Sequence, residues 1–394
     1  MLAGLSSQTP DKIMALMRAY AADPRTDKID LGVGVFRDPA GRTPVMAAVK
    51  TAEERLWRNQ DTKTYVALEG DPAYLAALSG LVLGDAVPAD RRAAIATPGG
   101  TGAVRMGLEL ARLANPSARI FVPDPSWPNH AAIIGFLGLE RVDYRYYDAQ
   151  ARGLNIEGML ADLGRAGPGD VVLLHGCCHN PTGADLSAQD WQAVAGLLTE
   201  TGAMAMVDIA YQGFGAGLEA DAEGLRILAG QVPELLVATS CSKNFGIYRE
   251  RAGALFALAP DGPTRDLAQS NLTMLNRQTY AFPPDHGARV VTEILTDPDL
   301  RADWQAELEG MRLHMQRQRQ GLADTLRDLG GSDRFAHLGA QRGMFSLLGA
   351  TPDQVERMRA EHGVYMIGDS RINVAGLSPD LIPRVAQAML AVGL

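Results

Sequence analysis

The strongest constraint on this chain is a recurring pattern between about residues 90 and 260. Short runs that are apolar nearly throughout alternate with longer amphipathic stretches. The runs are Ala93–Ala96, Arg119–Val122, Asp170–His175, Ala203–Asp208, Leu235–Thr239 and Gly253–Leu258. Runs without a polar face suit strands buried on both sides. Their alternation with helix-length segments predicts a parallel sheet joined by crossover helices. The expected architecture is α/β: a large domain over 40–300 with a mostly parallel sheet flanked by helices. A smaller α+β domain would use 1–39 and 301–394, so that the N-terminal segment joins the C-terminal part. No internal repeat or low-complexity tract interrupts this reading. The length of 394 residues fits two or three domains.

The flanking segments have their own signals. Pro10–Tyr20 carries Ile13, Met14, Leu16 and Met17 at helical spacing. Gly32, Gly34 and Gly41 then punctuate a loop. Asp299–Leu329 places Leu300, Trp304, Leu308, Met311, Met315, Leu322, Leu326 and Leu329 on one stripe, as an amphipathic helix does. Such a helix is about 45 Å long at 1.5 Å per residue and is suited to joining two domains. Strands are expected near Met344–Leu348 and Ile372–Val374.

Composition removes several function classes. Hydrophobic residues make up 46% of the chain, enough to offset ordering entropy and exclude intrinsic disorder. The net charge of −9, with no basic run, repels phosphate backbones and argues against nucleic acid as a partner. Apolar runs such as Ala131–Leu139 fall far short of the roughly 18 residues a membrane span needs, so no membrane partner is expected. The opening residues lack a basic stretch followed by an apolar core, unlike a secretory signal. Three cysteines cannot frame a disulfide scaffold in a chain this long, and a reducing cytoplasm fits them best.

Five segments could carry chemistry. Lys243, in Ser240–Gly246, follows a candidate strand and so sits at the carboxyl edge of the sheet, where open α/β folds bind ligands. Ser240 and Arg251 flank it, so hydroxyl and guanidinium could hold a phosphate while the amine acts as nucleophile. Thr97–Ala103 is a glycine-rich turn before a helix, and the N–H groups at Gly100–Gly102 can receive an anion. It is neither a P-loop nor a dinucleotide fingerprint. Asp208 ends a strand; it is either a helix cap or a carboxylate aimed at a cationic ring nitrogen, with Tyr211 one turn beyond. His175–Gly183 has the wrong spacing for structural zinc, and no metal is expected there. Asn180 instead begins a turn with its amide free for a ligand, while His175 and His179 are read as packed, hydrogen-bonded residues. Trp127, between Ser126 and Pro128, could be core or could stack on a planar ring.

Taken together, LGVGVFRD (Leu31–Asp38), TYVALEGDPAYL (Thr64–Leu75), TPGGTGAVR (Thr97–Arg105), PSWPNH (Pro125–His130), HGCCHNPTG (His175–Gly183), DIAYQGF (Asp208–Phe214), SCSKNFGIYRERAG (Ser240–Gly253) and RINVAGL (Arg371–Leu377) resemble the class I pyridoxal-phosphate aminotransferases of fold type I. The aspartate and aromatic amino acid subgroup is the nearest. The resemblance implies pyridoxal 5'-phosphate as cofactor, linked covalently to Lys243, which also carries the proton. It implies Asp208 at the pyridinium nitrogen, Tyr211 and Asn180 at the ring 3-oxygen, and Trp127 on the ring face and near the substrate. Gly100, Thr101, Ser240 and Arg251 would hold the phosphate, joined by Tyr65 from a neighbouring subunit, which makes the enzyme a homodimer with shared sites. Arg371, assisted by Gly34 and Asn180, would take the substrate α-carboxylate. Arg277 would take a distal carboxylate across the dimer interface.

The resemblance further implies transamination of an amino acid against 2-oxoglutarate, giving a 2-oxo acid and L-glutamate. Phe282 stands where aspartate enzymes of the family usually carry a small polar residue, and Phe36 replaces a common tyrosine. Val35, Thr43 and Thr101 match the aspartate pattern. The expectation is dual specificity for aromatic residues (Phe, Tyr, Trp) and Asp, slightly favouring the aromatic. A strict aspartate aminotransferase is the alternative. A pyridoxal-phosphate lyase is disfavoured by Arg277, and a non-enzymatic cofactor sensor by the absence of a basic DNA-binding segment.

Overall fold

The computed structural model describes residues 1–7, 11–38 and 40–394. Pro10 and Pro39, which fall within the expected N-terminal helix and domain limits, lie outside the described residues. The chain divides into two compact units. One comprises Thr43–Asn180 and Ala184–Leu313; the other Met1–Arg42, Pro181–Gly183 and His314–Leu394.

The larger unit is built on a seven-stranded sheet. Its spatial order is Arg92–Pro98, Ala252–Leu258, Leu235–Ser240, Met204–Ile209, Val171–His175, Arg119–Asp124, Glu140–Arg145. The five strands from Leu235–Ser240 to Glu140–Arg145 pair in parallel. Ala252–Leu258 runs antiparallel to both of its neighbours, so the sheet is mixed at one end rather than uniformly parallel. The central strands are buried along almost their whole length, which is why their sequences show no alternation.

Glu140–Arg145 was not anticipated. It is an edge strand, mostly exposed and rich in charge, so it carries no apolar signal; charge on an edge also discourages pairing with other chains. Helix Gly99–Ala114 packs Val104, Met106 and Leu108 into a core with Ile95, Ile120, Val122, Met206 and Leu255.

Register fixes which ends meet. Gly253 lies opposite both Ser240 and Thr97, and Asp208 lies opposite His175 and Ala238. The carboxyl ends of several strands therefore share one edge with the amino end of Ala252–Leu258.

The smaller unit pairs Ile29–Asp30 in parallel with Val364–Tyr365, and Phe345–Leu347 antiparallel with Arg371–Asn373. Its core includes Leu31, Leu322, Leu326, Leu348, Met358, Ile372 and Val385. The long helix spans Pro298–Gly330. Seven members of its expected stripe are buried, but Leu329, near the last turn, is 51% exposed because the core ends before it. The N-terminal helix begins at Lys12, capped by the Asp11 carboxylate. Among the described residues no helix is long and apolar enough to cross a membrane.

Candidate active site

In the larger unit, Lys243 lies three residues beyond Leu235–Ser240, in a loop anchored from below. Phe245 stacks on the fully buried Trp304 at 4.4 Å and 5°, and the Trp304 indole N–H donates to the Asn244 carbonyl at 2.8 Å. Such a paired aromatic with a satisfied indole fixes a loop firmly. The Lys243 amine sits 5.0 Å from the Tyr211 ring centroid. Burial pushes its pKa down, the Asp208 carboxylate partly restores it, and the Arg251 charge lowers it again. The net shift favours the free amine that a nucleophile requires.

Asp208 is 8% exposed. Burial raises the pKa of its carboxyl group, but the His130 hydrogen bond and the charges of His130, His175 and Lys243 outweigh that, and it stays below its ordinary value. Oδ2 accepts from His130 Nε2 at 3.0 Å; Oδ1 is buried without a partner. His130 Nδ1 then meets Ser126 Oγ at 3.0 Å, and Ser126 Oγ meets His175 Nε2 at 3.1 Å. An ionised carboxylate only accepts, so His130 carries a proton on Nε2. Beyond it, His175 lies 4.2 Å from His179, which stacks on Tyr146.

The residues expected to hold a phosphate also lie together. Helix Gly99–Ala114 begins directly after the strand, with Gly100 and Thr101 in its first turn. A β-carbon on Gly99, whose φ is +70°, would come within 2.5 Å of the Arg251 guanidinium; glycine lets that cation lie against the helix start. Arg251 donates to Ser242 Oγ at 3.2 Å and to the Tyr248 carbonyl at 3.1 Å. Ser240 packs against Gly100. Helix start, hydroxyl and guanidinium thus meet at one sheet edge. Trp127 is half-buried, edge-on to His130 at 5.1 Å. Asn180 is buried just past a turn whose Cys178 and His179 N–H groups both donate to Asp185 at 2.8 Å.

Tyr65 and Arg277 form a separate exposed cluster. Tyr65, 81% exposed, stacks on Phe282 at 4.5 Å, and the Arg277 guanidinium lies 5.9 Å from the Phe282 centroid. In the smaller unit, Arg371 is buried with its guanidinium 4.3 Å from the Phe345 centroid. Gly34 is held nearby: the Asn373 amide donates to the Val33 and Val35 carbonyls at 2.7 and 2.8 Å. Phe36 is buried, edge-on to His314 at 5.7 Å.

These residues fit pyridoxal phosphate. An amine with a depressed pKa, a buried carboxylate oxygen awaiting a donor, and a helix start with an arginine match an aldehyde, a protonated ring nitrogen and a phosphate dianion. Residues 26–389 match the family model for aminotransferase class I and II. The chain belongs to this family. Similar proteins include the aromatic-amino-acid aminotransferase of Paracoccus denitrificans, 57% identical over the full length of both chains. The aspartate aminotransferase of Salmonella typhi is 45% identical, again over all of both chains. An aromatic-amino-acid aminotransferase from Burkholderia pseudomallei, solved covalently bound to pyridoxal phosphate, superposes with a TM-score of 0.97 at 39% identity, covering 100% of this chain and 99% of that one. This protein is therefore a pyridoxal-phosphate-dependent aminotransferase of fold type I.

Sequence reasoning gave the aminotransferase no role for Ser126, His130, Asp185, Trp304 or Asn373. PSWPNH was singled out for Trp127 alone, although His130 follows at helical spacing and could have been suspected. Asp185, Trp304 and Asn373 act through backbone groups; Trp304 was legible as a core position of the long helix but not as the support of the Lys243 loop. Cys177, Cys178 and Asp221 bring ligand atoms within 4.8 Å of one another. Asp221, however, already accepts from the Gly213, Gly215 and Ala216 N–H groups. Hydrogen bonding to Cys178 and burial also push the Cys177 thiol well up, away from the thiolate a metal needs.

The relay also sets a pH dependence. Burial, with the His130 charge, lowers the His175 pKa from 6.5 to about 3, and burial pushes His179 well below 6.5. Between pH 6.5 and about 3 the unfolded chain binds protons that the folded chain refuses. Stability is thus full above pH 6.5 and falls as pH drops through that window, by about 1.4 kcal/mol per pH unit for His175, with His179 acting in the same direction. Urea melts at pH 5 to 7 check this: His175→Gln should make the slope shallower by about one proton. An unchanged slope would show that His175 does not hold the depressed value.

Proposed function

We propose that this aminotransferase moves amino groups between aromatic or acidic L-amino acids (Phe, Tyr, Trp, Asp) and 2-oxoglutarate, with a slight preference for the aromatic. The carrying observation is the Arg277–Phe282–Tyr65 stack. It offers a cation for a distal carboxylate and, beside it, an aromatic surface for an apolar side chain. The names of the Paracoccus and Salmonella relatives support both halves of this reading.

When bound, pyridoxal phosphate supplies an electron sink for the pair left at the substrate Cα. Asp208 would hold the proton on the ring nitrogen that makes this sink effective, and His130 keeps that carboxylate oriented. Gly100, Thr101, Ser240 and Arg251 would hold the phosphate, while Tyr211 and Asn180 would donate to the ring 3-oxygen and Trp127 would cover the ring face and border the substrate. Lys243 would be the general base that takes the proton from the substrate Cα and the acid that gives it back. Arg371 would receive the α-carboxylate on its planar fork, with Gly34 and Asn180 as the expected assisting residues.

Tyr65 and Arg277 are exposed on the isolated chain, which suits groups that serve a partner's site in a homodimer. Three buried cysteines with no disulfide among them are consistent with a cytoplasmic location.

One experiment tests substrate and assembly together. Arg277→Leu should lower kcat/KM for aspartate about 10²–10³-fold and change that for phenylalanine by less than about threefold, the loss expected for a charged, desolvated contact. Mixing subunits of Arg277→Leu and Lys243→Ala should then restore aspartate activity to roughly a quarter of wild type, because each hybrid dimer contains one site with both groups intact. Equal losses for both substrates would show that Arg277 does not select the distal carboxylate, and turnover of aspartate with none detectable for phenylalanine or tyrosine would favour the strict aspartate reading. Failure to complement would overturn the shared site.

A further inference from the structure

The smaller unit contains a buried arginine that the mechanism does not use. Arg319, on the long helix, is 2% exposed. Its guanidinium is spread over a single turn. Nε and Nη2 donate to the Gly343 carbonyl at 3.1 and 2.9 Å, Nη2 also donates to the Arg342 and Phe345 carbonyls, and Nη1 donates to the Leu338 carbonyl and to Ser346 Oγ. Ser346 in turn donates to Gln341 at 2.6 Å. Burying a cation is costly unless its donors are satisfied. A planar fork that engages several carbonyls at once fixes their relative positions in a way a lysine cannot.

That turn leads directly to the carboxylate pocket. Phe345 is paired with Asn373, and Leu347 with Arg371. The Phe345 ring faces the Arg371 guanidinium at 4.3 Å. Its tip occupies the space over Gly34, where a β-carbon would meet Cζ at 2.6 Å. On the other side, a β-carbon on Gly183 would fall 2.5 Å from the Phe345 carbonyl and 3.2 Å from Arg319 Nη2, and the Gly183 carbonyl accepts from the Arg342 N–H at 2.8 Å. Two glycines and one guanidinium thus leave Phe345 little room to shift.

We propose that Arg319 is a positioning residue for substrate binding: it clamps the 338–346 turn so that Phe345 braces the plane of Arg371. The inference rests on the reading of Arg371 as the α-carboxylate group. A displaced guanidinium plane loses bidentate contact with a carboxylate, and misplacement of this kind costs about tenfold or more.

The test uses holoenzyme and two probes read by the absorbance of the bound cofactor: 3-phenylpropionate, which has the carboxylate, and phenethylamine, which lacks it. Arg319→Lys and Phe345→Leu should each weaken 3-phenylpropionate about tenfold and raise KM for phenylalanine to match, with kcat within about threefold and phenethylamine affinity within about twofold. Arg371→Lys, run in parallel, should weaken the carboxylate probe about 100-fold. Equal losses on both probes, or none on the carboxylate, overturn the positioning role while Arg371→Lys still shows its loss. If Arg319→Lys fails to fold, Phe345→Leu decides by the same criteria. If Arg371→Lys keeps its affinity, the carboxylate reading itself fails and this inference falls with it.

Discussion

Lys243→Ala is expected to abolish transamination, lowering the rate at saturating phenylalanine by at least about 10⁴-fold. Two contributions vanish together: the nucleophile that joins the cofactor to the chain, and a general base worth about 10²–10⁴ on its own. The fold should not suffer. The loop is held by Trp304 and Phe245 rather than by the amine, and burial already disfavours the charged ammonium, so the apo Tm should stay level or rise. A single-turnover measurement with phenylalanine, compared with thermal melts, separates lost chemistry from lost structure. Borohydride reduction of the wild-type holoenzyme should leave a pyridoxyl tag on the Lys243 peptide. A tag on another lysine, or residual turnover within tenfold of wild type, would contradict the assignment.

Asp208→Asn is expected to cost about 10³-fold in kcat, the size of effect seen when one preorganised electrostatic group is removed from a water-poor site. The substitution is nearly isosteric, and an amide oxygen can still accept from His130 Nε2. What it removes is the negative charge on Oδ1, which is buried with no partner in the chain itself. Since burial raises the pKa of the carboxyl group while the His130 hydrogen bond lowers it, exchanging it for a neutral amide relieves a desolvation cost. Stability should therefore change by less than about 1 kcal/mol. The measurements are kcat, cofactor affinity and urea stability on the same preparation. Retained kcat with lowered stability would make Asp208 a structural residue and leave the ring nitrogen without its counter-charge.

Much of this molecule could be read before folding. The central strands announce themselves because burial on both faces forces every position to be apolar. Lys243, Asp208 and Gly100 were legible because each stands next to a strand end, where position along the chain already implies position in space. Glu140–Arg145 was not legible, because an edge strand obeys no such rule. Nor was the antiparallel course of Ala252–Leu258, since an apolar run has no direction of its own. Leu329 followed the helical period but ran past the core it was meant to cover.

The site divides in the same way. By itself the sequence determined the family and the cofactor it uses, because those depend on residue type at fixed local spacing. Only the tertiary structure decided what holds the site's side chains. The Asp208–His130–Ser126–His175 relay joins segments far apart in the chain. The Arg277–Phe282–Tyr65 stack and the Arg319 clamp under Phe345 arise in the same way. Supporting contacts of this kind are made through space, often to backbone carbonyls that every residue possesses. A linear pattern carries no record of them until the chain has closed.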